Sequence, residues 1–178
     1  MDKIRLRKPT DKDGAALHEL VKQCAPLDEN SRYCNLLQVS HFGDTAVVAE
    51  CADALLGFIT GYRVPGRDRV LFVWQLGVSP AGRGQGLAVR MLNALVARLG
   101  DIDTVETTVT PDNHASTAMF EKFARLNGAS ISRETLFHKH EHFASRHEDE
   151  VLFRIGPLRM THTQASSVEQ DTTLVPAH

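Results

Sequence analysis

Apolar residues near the start of the chain recur at the spacing of one α-helix face. Thr10 and Asp13 form a variant of the capping box that marks a helix start. The apolar stripe that follows consists of Leu17, Leu20, Val21 and Cys24. The pattern predicts a first helix that ends near Pro26.

Two further helices are predicted in the second half of the chain. An apolar stripe at helical spacing runs through residues 88–99 and stops at Gly100, which is typical of an amphipathic helix with a glycine end. Another helix is expected between Asn113, a suitable cap, and Gly128. The less regular segment 27–43 predicts a short helix with a polar side facing a cleft.

β-Branched and apolar runs of strand length separate these helices. They predict strands at residues 4–7, 46–50, 55–63, 70–78, 104–110, 130–137 and 150–155. A turn at Ala52 and Asp53 joins the second and third into a hairpin. The almost unbroken apolar run 70–78 is expected to be the central strand, covered on both faces.

The order of these elements predicts a single domain of the mixed α/β class, with a central sheet flanked by helices. A length of 178 residues agrees with one domain. We place the domain at residues 1–158, because the chain turns polar beyond it, and expect residues 159–178 to form a flexible tail.

The net charge and the cysteines indicate which partners and which compartment to expect. The chain has 20 Lys and Arg against 22 Asp and Glu, a net charge of -2, which excludes a global positive field for nucleic acid or an anionic membrane. With no signal peptide or spanning stretch in the sequence, we expect a cytoplasmic protein. Its three cysteines lack CxxC spacing and are expected to be thiols.

Alternating histidines raise the question of a metal. His138, His140 and His142 would share one face if they lay on a strand. No cysteine or second spaced pair completes a tetrahedral site, so the sequence predicts no metal.

The glycine-rich segment after the central strand is the most informative part of the chain. Gly82, Gly84 and Gly86 precede the amphipathic helix, and Arg83 adds a positive charge. Free backbone amides and the helix dipole at such a junction favour a phosphate. The segment lacks the Gly-Lys-Ser/Thr of a Walker loop and the third glycine of a Rossmann fingerprint. A glycine-rich turn that binds nothing is the alternative.

The run from Arg83 to Ala88 resembles the pyrophosphate loop of the GNAT superfamily of N-acetyltransferases, Arg/Gln-x-x-Gly-x-Gly/Ala. The resemblance implies a GNAT-like fold and acetyl-CoA as cosubstrate, with a strand bulge and an asparagine at the next helix start also contacting the coenzyme. The coenzyme-binding residues implied in this way are Leu76, Gly77, Val78, Arg83, Gly84, Gln85, Gly86, Leu87, Ala88, Asn113 and Ser116.

Within that superfamily, the chain resembles the diaminobutyrate acetyltransferases of ectoine biosynthesis. The similar segments are residues 27–33, 70–75, 106–111 and 147–150. The resemblance implies acetyl transfer to the 4-amino group of L-2,4-diaminobutyrate, which yields the precursor of a compatible solute made under osmotic stress. It also implies a homodimer.

The reaction needs a neutral amine, and deprotonating a lysine-like ammonium at pH 7.5 costs about 4 kcal/mol. An acidic pocket with a proton acceptor is therefore expected. The resemblance implies that this pocket is lined by Asp28, Tyr33, Trp74, His147 and Glu150. Glu150 is the expected base and His147 the competing choice.

These assignments have structural alternatives. Asp28 could cap a helix that begins one or two residues later, Trp74 could belong to the core, and Tyr33 could bury its ring under the sheet. The acidic run 148–150 could be a solvated loop. Phe120 stands where many superfamily members have a tyrosine, which leaves the role of general acid unassigned.

Two other functions fit the same motifs. The first is acetylation of a different small amine, such as a polyamine, an amino acid or an aminoglycoside. The second is a module that binds CoA without catalysis, because the loop indicates ligand binding but not turnover.

Overall fold

The computed structural model describes residues 3–25 and 27–159. Its elements are β1 (Arg5–Arg7), α1 (Gly14–Gln23), α2 (Arg32–Ser40), β2 (Val47–Cys51), β3 (Ala54–Val64), β4 (Arg67–Val78), α3 (Leu87–Leu99), β5 (Thr104–Val109), α4 (His114–Leu126), β6 (Ser130–Phe137), α5 (Lys139–His142) and β7 (Glu150–Gly156). The predicted order of helices and strands is confirmed, except that the short helix α5 between β6 and β7 was not predicted. Apart from Arg159, the predicted tail lies outside the described residues.

The strands form one seven-stranded sheet in the order β1-β2-β3-β4-β5-β7-β6. β4 and β5 are parallel, and the other neighbouring pairs are antiparallel. β4 stands in the middle of this order, as its apolar sequence predicts.

Two apolar clusters cover opposite faces of the sheet. α3 and α4 pack through residues such as Met91, Leu95 and Phe123 against one face. α1 packs through residues such as Leu17 against Phe58 of β3 on the other face. α1 and α2 cover only part of this second face, which stays open near β4.

The prediction that β4 is covered on both faces is wrong at this open part. Leu71 and Val73 are buried against the α3 side, whereas Trp74 is 47% exposed. The register of β4 against β3 also shifts here, because Thr60 pairs with Gln75 and Gly61 pairs with Val73. Trp74 is therefore the extra residue of a β-bulge, which changes the direction of its side chain.

The parallel strands β4 and β5 separate halfway along their length. Their pairing covers Val70 to Phe72 on β4 and Thr104 to Glu106 on β5. Beyond that point β5 continues to pair with β7 up to Val109, and β4 continues to pair with β3. A gap thus opens between the two strands on the side of their carboxyl ends.

Glu106 holds three strands together where the gap begins. Its carboxylate is 2% exposed and accepts hydrogen bonds from Arg67 (2.7 and 2.9 Å) and Arg154 (2.7 Å). Burial raises the pKa of Glu106, but the two guanidinium groups outweigh burial and hold it below its ordinary value. The charged network therefore fixes the last pair of residues before β4 and β5 diverge.

Arg7 and Asp13 join β1 to the start of α1. The Asp13 carboxylate accepts two hydrogen bonds from Arg7 (2.8 and 2.7 Å) and one from the backbone of Thr10 (2.7 Å). The Arg7 hydrogen bond lowers the pKa of Asp13, although burial opposes the shift. The folded protein therefore favours the ionised carboxylate at this position.

Asp13→Asn is expected to lower the free energy of unfolding by about 1–3 kcal/mol at pH 7, because the charged hydrogen bonds are lost. A lowered pKa contributes stability above the pKa of the unfolded chain and loses it as the pH falls through the folded value. The difference between the two proteins in urea unfolding should therefore shrink as the pH falls below about 4. A difference that does not change with pH would contradict this account.

The prediction that three alternating histidines share one strand face is wrong. β6 ends at Phe137, so His138 precedes α5 while His140 and His142 lie in it, and the three do not share a strand face. Within residues 3–25 and 27–159, no group of three or more His, Cys, Asp or Glu side chains is arranged to hold a metal ion. Over the same residues, no helix is long and apolar enough to cross a bilayer.

Candidate active site

A cavity of about 720 Å³ lies where β4 and β5 separate; we call it the acidic cavity. Its walls come from the α1–α2 loop, β4, β5, the start of α4 and the segment before β7. The lining residues are Leu27, Asp28, Asn30, Trp74, Gln75, Thr108, Val109, Thr110, Asp112, Asn113, His114, Ala115, His147, Glu148 and Glu150.

The charges of these side chains are strongly one-sided. Four of the lining residues are carboxylic acids, Asp28, Asp112, Glu148 and Glu150, and none of the described lining residues is a lysine or arginine. A hydrogen bond from Thr110 lowers the pKa of Asp112, which favours its charged form. The cavity therefore suits a ligand with ammonium groups.

His147 and Glu150 form an adjacent pair of titratable groups in this wall. His147 Nε2 lies 3.7 Å from Glu150 Oε1. The other ring nitrogen, Nδ1, lies 2.8 Å from the Glu148 carbonyl oxygen, which can only accept a hydrogen bond. Nδ1 therefore carries the proton, and in the neutral ring Nε2 presents its lone pair towards Glu150. The two groups are adjacent, but the distance between them is longer than a hydrogen bond.

The alternative that the acidic run is a solvated loop is wrong for Glu150. It is the first residue of β7, it pairs with Phe137 of β6, and its side chain is 20% exposed. The neighbouring Glu148 is more exposed and forms an ion pair with Lys139 (2.6 Å).

Asp28 lies in the loop between α1 and α2. The alternative that it caps a helix is wrong, because α2 begins at Arg32 and Ser31 accepts the capping hydrogen bond from the Cys34 amide (3.1 Å). The backbone carbonyl of Asp28 instead accepts a hydrogen bond from the Gln75 side chain (2.8 Å). Asp28 is also one of the residues that line the acidic cavity.

The two predicted aromatic residues occupy different places. Trp74 lines the acidic cavity and packs edge-on against Tyr62, with ring centroids 6.4 Å apart, so the core alternative is wrong. Tyr33 is 70% exposed on the first turn of α2, so its ring is not buried under the sheet. It is not among the lining residues of the acidic cavity.

A second cavity of about 340 Å³ lies at the glycine-rich segment; we call it the glycine-loop cavity. Its lining residues are Val78, Gly82, Arg83, Gly84, Gly86, Leu87, Ala88, Val89, Ala118, Met119 and Lys122. Gly84 and Gly86 have φ angles of +77° and +62°, a region that favours glycine. A Cβ atom built on either glycine would meet nothing within 4 Å, so the loop faces open space.

The amide groups at the start of α3 are available to a ligand in this cavity. The first hydrogen bond of the helix runs from the Arg90 amide to the Gly86 carbonyl (3.1 Å). The amides of Leu87, Ala88 and Val89 precede that bond and lack an acceptor in the turn before them. Together with Arg83 and Lys122 they provide a site for a diphosphate.

Six of the predicted coenzyme-binding residues line this cavity. They are Val78, Arg83, Gly84, Gly86, Leu87 and Ala88. Leu76, Gly77, Gln85 and Ser116 line neither cavity. Asn113 lines the acidic cavity, and its side chain caps α4 by accepting the Ser116 amide hydrogen bond (3.0 Å).

The sequence analysis did not identify the contribution of α4 to the glycine-loop cavity. Ala118, Met119 and Lys122 share one face of this helix, and their spacing was an available signal. It also missed Asn30 and Gln75 in the acidic cavity, which carry no sequence signal of their own. Phe120 is 3% exposed within the core and has no group that can donate a proton.

The two cavities lie along the same two elements. Gln75 and Val78, three residues apart on β4, are separated by about 10 Å at the rise of a strand. α4 contributes its first turn to the acidic cavity and its middle to the glycine-loop cavity. A ligand anchored at the glycine loop can therefore extend along β4 to the acidic cavity.

A phosphate-binding helix start beside a gap between parallel strands defines a class of acyl-CoA-dependent transferases, and residues 15–124 match the model of the acetyltransferase (GNAT) family. The chain belongs to this family and, within it, to the group of the L-2,4-diaminobutyric acid acetyltransferases. The relative of that name from Methylotuvimicrobium alcaliphilum is 51% identical over 158 residues, 88% of this chain and 92% of the relative. The one from Vibrio cholerae is 48% identical, over 84% of this chain and 87% of the relative.

A solved structure gives the same assignment. The diaminobutyrate acetyltransferase EctA from Paenibacillus lautus, in complex with L-2,4-diaminobutyric acid and coenzyme A, is 34% identical to this chain with a TM-score of 0.83. The alignment covers 88% of this chain and 96% of that one. The loading GNATL domain of CurA from Lyngbya majuscula, at 15% identity and a TM-score of 0.68, shares the fold.

Proposed function

We propose that this protein transfers the acetyl group of acetyl-CoA to the 4-amino group of L-2,4-diaminobutyrate, and so makes the precursor of ectoine. The observation that carries the proposal is the acidic cavity, with its four carboxylic acids, next to a diphosphate site on the same strand and helix. The names of the relatives and the ligands of the Paenibacillus lautus enzyme support the same substrates.

The glycine-loop cavity would hold the diphosphate of the coenzyme. Gly84, Gly86, Leu87 and Ala88 line that cavity and would supply backbone amides, and Arg83 would supply positive charge. Leu76, Gly77 and Val78 then border the gap along which the pantetheine would extend. Ser116 and Gln85 would act at the margin of the site, since neither lines a cavity.

The acidic cavity would hold the diamine. Asp28 supplies negative charge for one ammonium group, and Trp74 forms an aromatic wall beside it. The side-chain amide of Asn113 and the Trp74 indole supply donors for the single carboxylate. Tyr33 would contact the acceptor only by turning from its exposed position on α2.

Glu150 is the proposed proton acceptor. It takes one proton from the 4-ammonium group, and the freed nitrogen lone pair forms the new bond to the acetyl carbon. The nitrogen then loses its second excess proton to water while the carbon–sulfur bond breaks and the bonding electrons leave with sulfur. His147 Nε2, 3.7 Å away, would receive the proton from Glu150 once the two side chains move to hydrogen-bond distance, and would release it to solvent. CoA leaves as a thiolate with a pKa of about 8.5, so the lack of a donor at Phe120 is tolerated.

The position of the new acetyl group tests this proposal. Purified protein, acetyl-CoA and L-2,4-diaminobutyrate should give one product whose NMR spectrum places the acetyl group on the 4-nitrogen. Faster turnover of spermidine, lysine or an aminoglycoside would overturn the substrate assignment but keep the reaction. Failure to release free thiol with any amine would leave a CoA-binding module.

We also propose that the protein is a homodimer in the cytoplasm. The exposed apolar side chains Leu136 and Phe137 on the edge strand β6 support a second copy covering part of that surface. Cys24 and Cys34 are thiols, which agrees with a reducing compartment. Light scattering of the purified protein should give the mass of two chains.

A further inference from the structure

Gln75 connects the central strand to the loop that carries Asp28. Its side chain is buried, with the residue 6% exposed, and its Nε2 donates a hydrogen bond of 2.8 Å to the Asp28 carbonyl oxygen. The loop is also held at its two ends, by the Leu27 amide on the Cys24 carbonyl (3.2 Å) and by the Ser31 cap of α2. Gln75 thus anchors the middle of the loop to the sheet.

The remaining atom of this amide has no hydrogen-bond partner. Because a carbonyl oxygen can only accept, the amide nitrogen of Gln75 must face Asp28, and Oε1 faces the other way. Within the described part of the chain, Gln75 Oε1 is buried and has no hydrogen-bond donor. Two nearby polar atoms, Thr60 Oγ1 and Asn30 Nδ2, are also buried without a partner. Thr60 pairs with Gln75 across the strands, and Asn30 lines the same cavity.

A buried amide with an unpaired oxygen is an unfavourable choice for stability alone, because an apolar side chain of the same size would avoid the unpaired group. The polar side chain is better explained by its hydrogen bond to the loop. The bulge at Trp74 immediately precedes Gln75, and a bulge redirects the side chains at its position.

We infer that Gln75 is a positioning residue for the acceptor site, which holds the Asp28 carboxylate where it meets an ammonium group of the substrate. The inference rests on the proposed function, because it requires Asp28 to bind the diamine. A loop held in place before binding loses less freedom when the substrate arrives, so the anchor lowers the concentration of diamine needed. Gln75 does not touch the reacting atoms in this account.

The test is Gln75→Met, which retains the length of the side chain and removes the donor. The KM for L-2,4-diaminobutyrate should rise by about tenfold or more, while kcat and the Kd for acetyl-CoA stay within about twofold. A purely structural role would lower the melting temperature without this separation of KM from kcat. An unchanged KM would overturn the inference.

Gln38→Met is the matched control. Gln38 is another buried glutamine, 2% exposed on α2, with an unpaired Oε1 and a side-chain hydrogen bond to the Cys34 sulfur. It lines neither cavity. Its replacement should change the melting temperature and leave the diamine KM at the wild-type value; an equal rise in KM would overturn the inference.

A double-mutant cycle separates action through Asp28 from independent action. If Gln75 acts by holding Asp28, then adding Gln75→Met to Asp28→Asn should change kcat/KM by no more than about twofold. Losses that multiply would show that Gln75 acts on the substrate by itself, which contradicts a positioning role.

Failure of the inference and failure of the proposed function are distinguishable. Wild-type protein that does not acetylate diaminobutyrate would overturn the proposed function. Wild-type protein that makes the 4-acetyl product, together with a Gln75→Met variant of unchanged KM, would overturn the inference alone. If Gln75→Met does not fold, Gln75→Asn replaces it, because the shorter side chain withdraws the donor by about 1.5 Å and predicts the same rise in KM.

Discussion

Glu150→Gln is expected to reduce kcat by at least about 100-fold, because a positioned general base contributes a factor of this size or larger. The variant keeps the shape of the side chain and its place at the start of β7 but cannot accept the ammonium proton. The proposed site of acetyl-CoA is the glycine-loop cavity, which Glu150 does not line, so the Kd of acetyl-CoA should remain unchanged. Initial rates from thiol release and calorimetry with acetyl-CoA measure the two quantities.

The matched control for this variant is Glu141→Gln. Glu141 is an exposed residue of α5 in the same segment of the chain, and it lines neither cavity. Its rate should equal that of the wild-type protein. If Glu150→Gln kept the wild-type kcat, Glu150 would not be the base, and the same experiment on His147→Gln would test the competing choice.

Gly84→Val is expected to weaken acetyl-CoA binding by about 100-fold. The φ angle of +77° is unfavourable for a β-branched residue, so the loop must change its backbone and withdraw amides from the diphosphate. Hydrogen bonds to charged groups contribute about 1.5–3 kcal/mol each, and the loss of one or two of them corresponds to this change in Kd. Calorimetry with acetyl-CoA measures it directly.

Gly100→Val separates the binding effect from backbone strain. Gly100 ends α3 with the same φ angle of +77°, and a Cβ atom there would also meet nothing within 4 Å. Both variants should therefore lose similar stability in thermal unfolding, while only Gly84→Val loses affinity for the coenzyme. Equal affinities in the two variants would show that the glycine loop does not bind the diphosphate.

The periodicity of apolar residues predicted nearly all of the fold, because each helix and strand buries one face and that requirement repeats in the sequence. The stripe at residues 88–99 and the β-branched run at residues 104–110 correspond to α3 and β5. The glycine loop was equally visible, since φ angles above zero restrict the residue type locally. The wrong prediction of a shared strand face for His138, His140 and His142 also has a local cause. The alternating pattern of histidines continues past Phe137, although β6 ends there.

The face of Trp74 could not be predicted, because it depends on a bulge set by the register against β3 and on how far α1 and α2 extend over the sheet. The same holds for Tyr33, whose exposure depends on where α2 begins. The resemblance to known acetyltransferases named these residues, but it could not place one in the cavity wall and the other outside it.

The sequence by itself determined most of the elements, the glycine-rich loop and the absence of a proton donor at Phe120, because each depends on residues close together in the chain. The tertiary structure decided where β4 and β5 separate, how His147 Nε2 faces Glu150, and that Gln75 holds the loop of Asp28. The first and the last of these join residues distant in sequence, whereas His147 and Glu150 are three residues apart and their orientation depends on where β7 begins. Their geometry follows from packing and strand register, which local residue patterns do not contain.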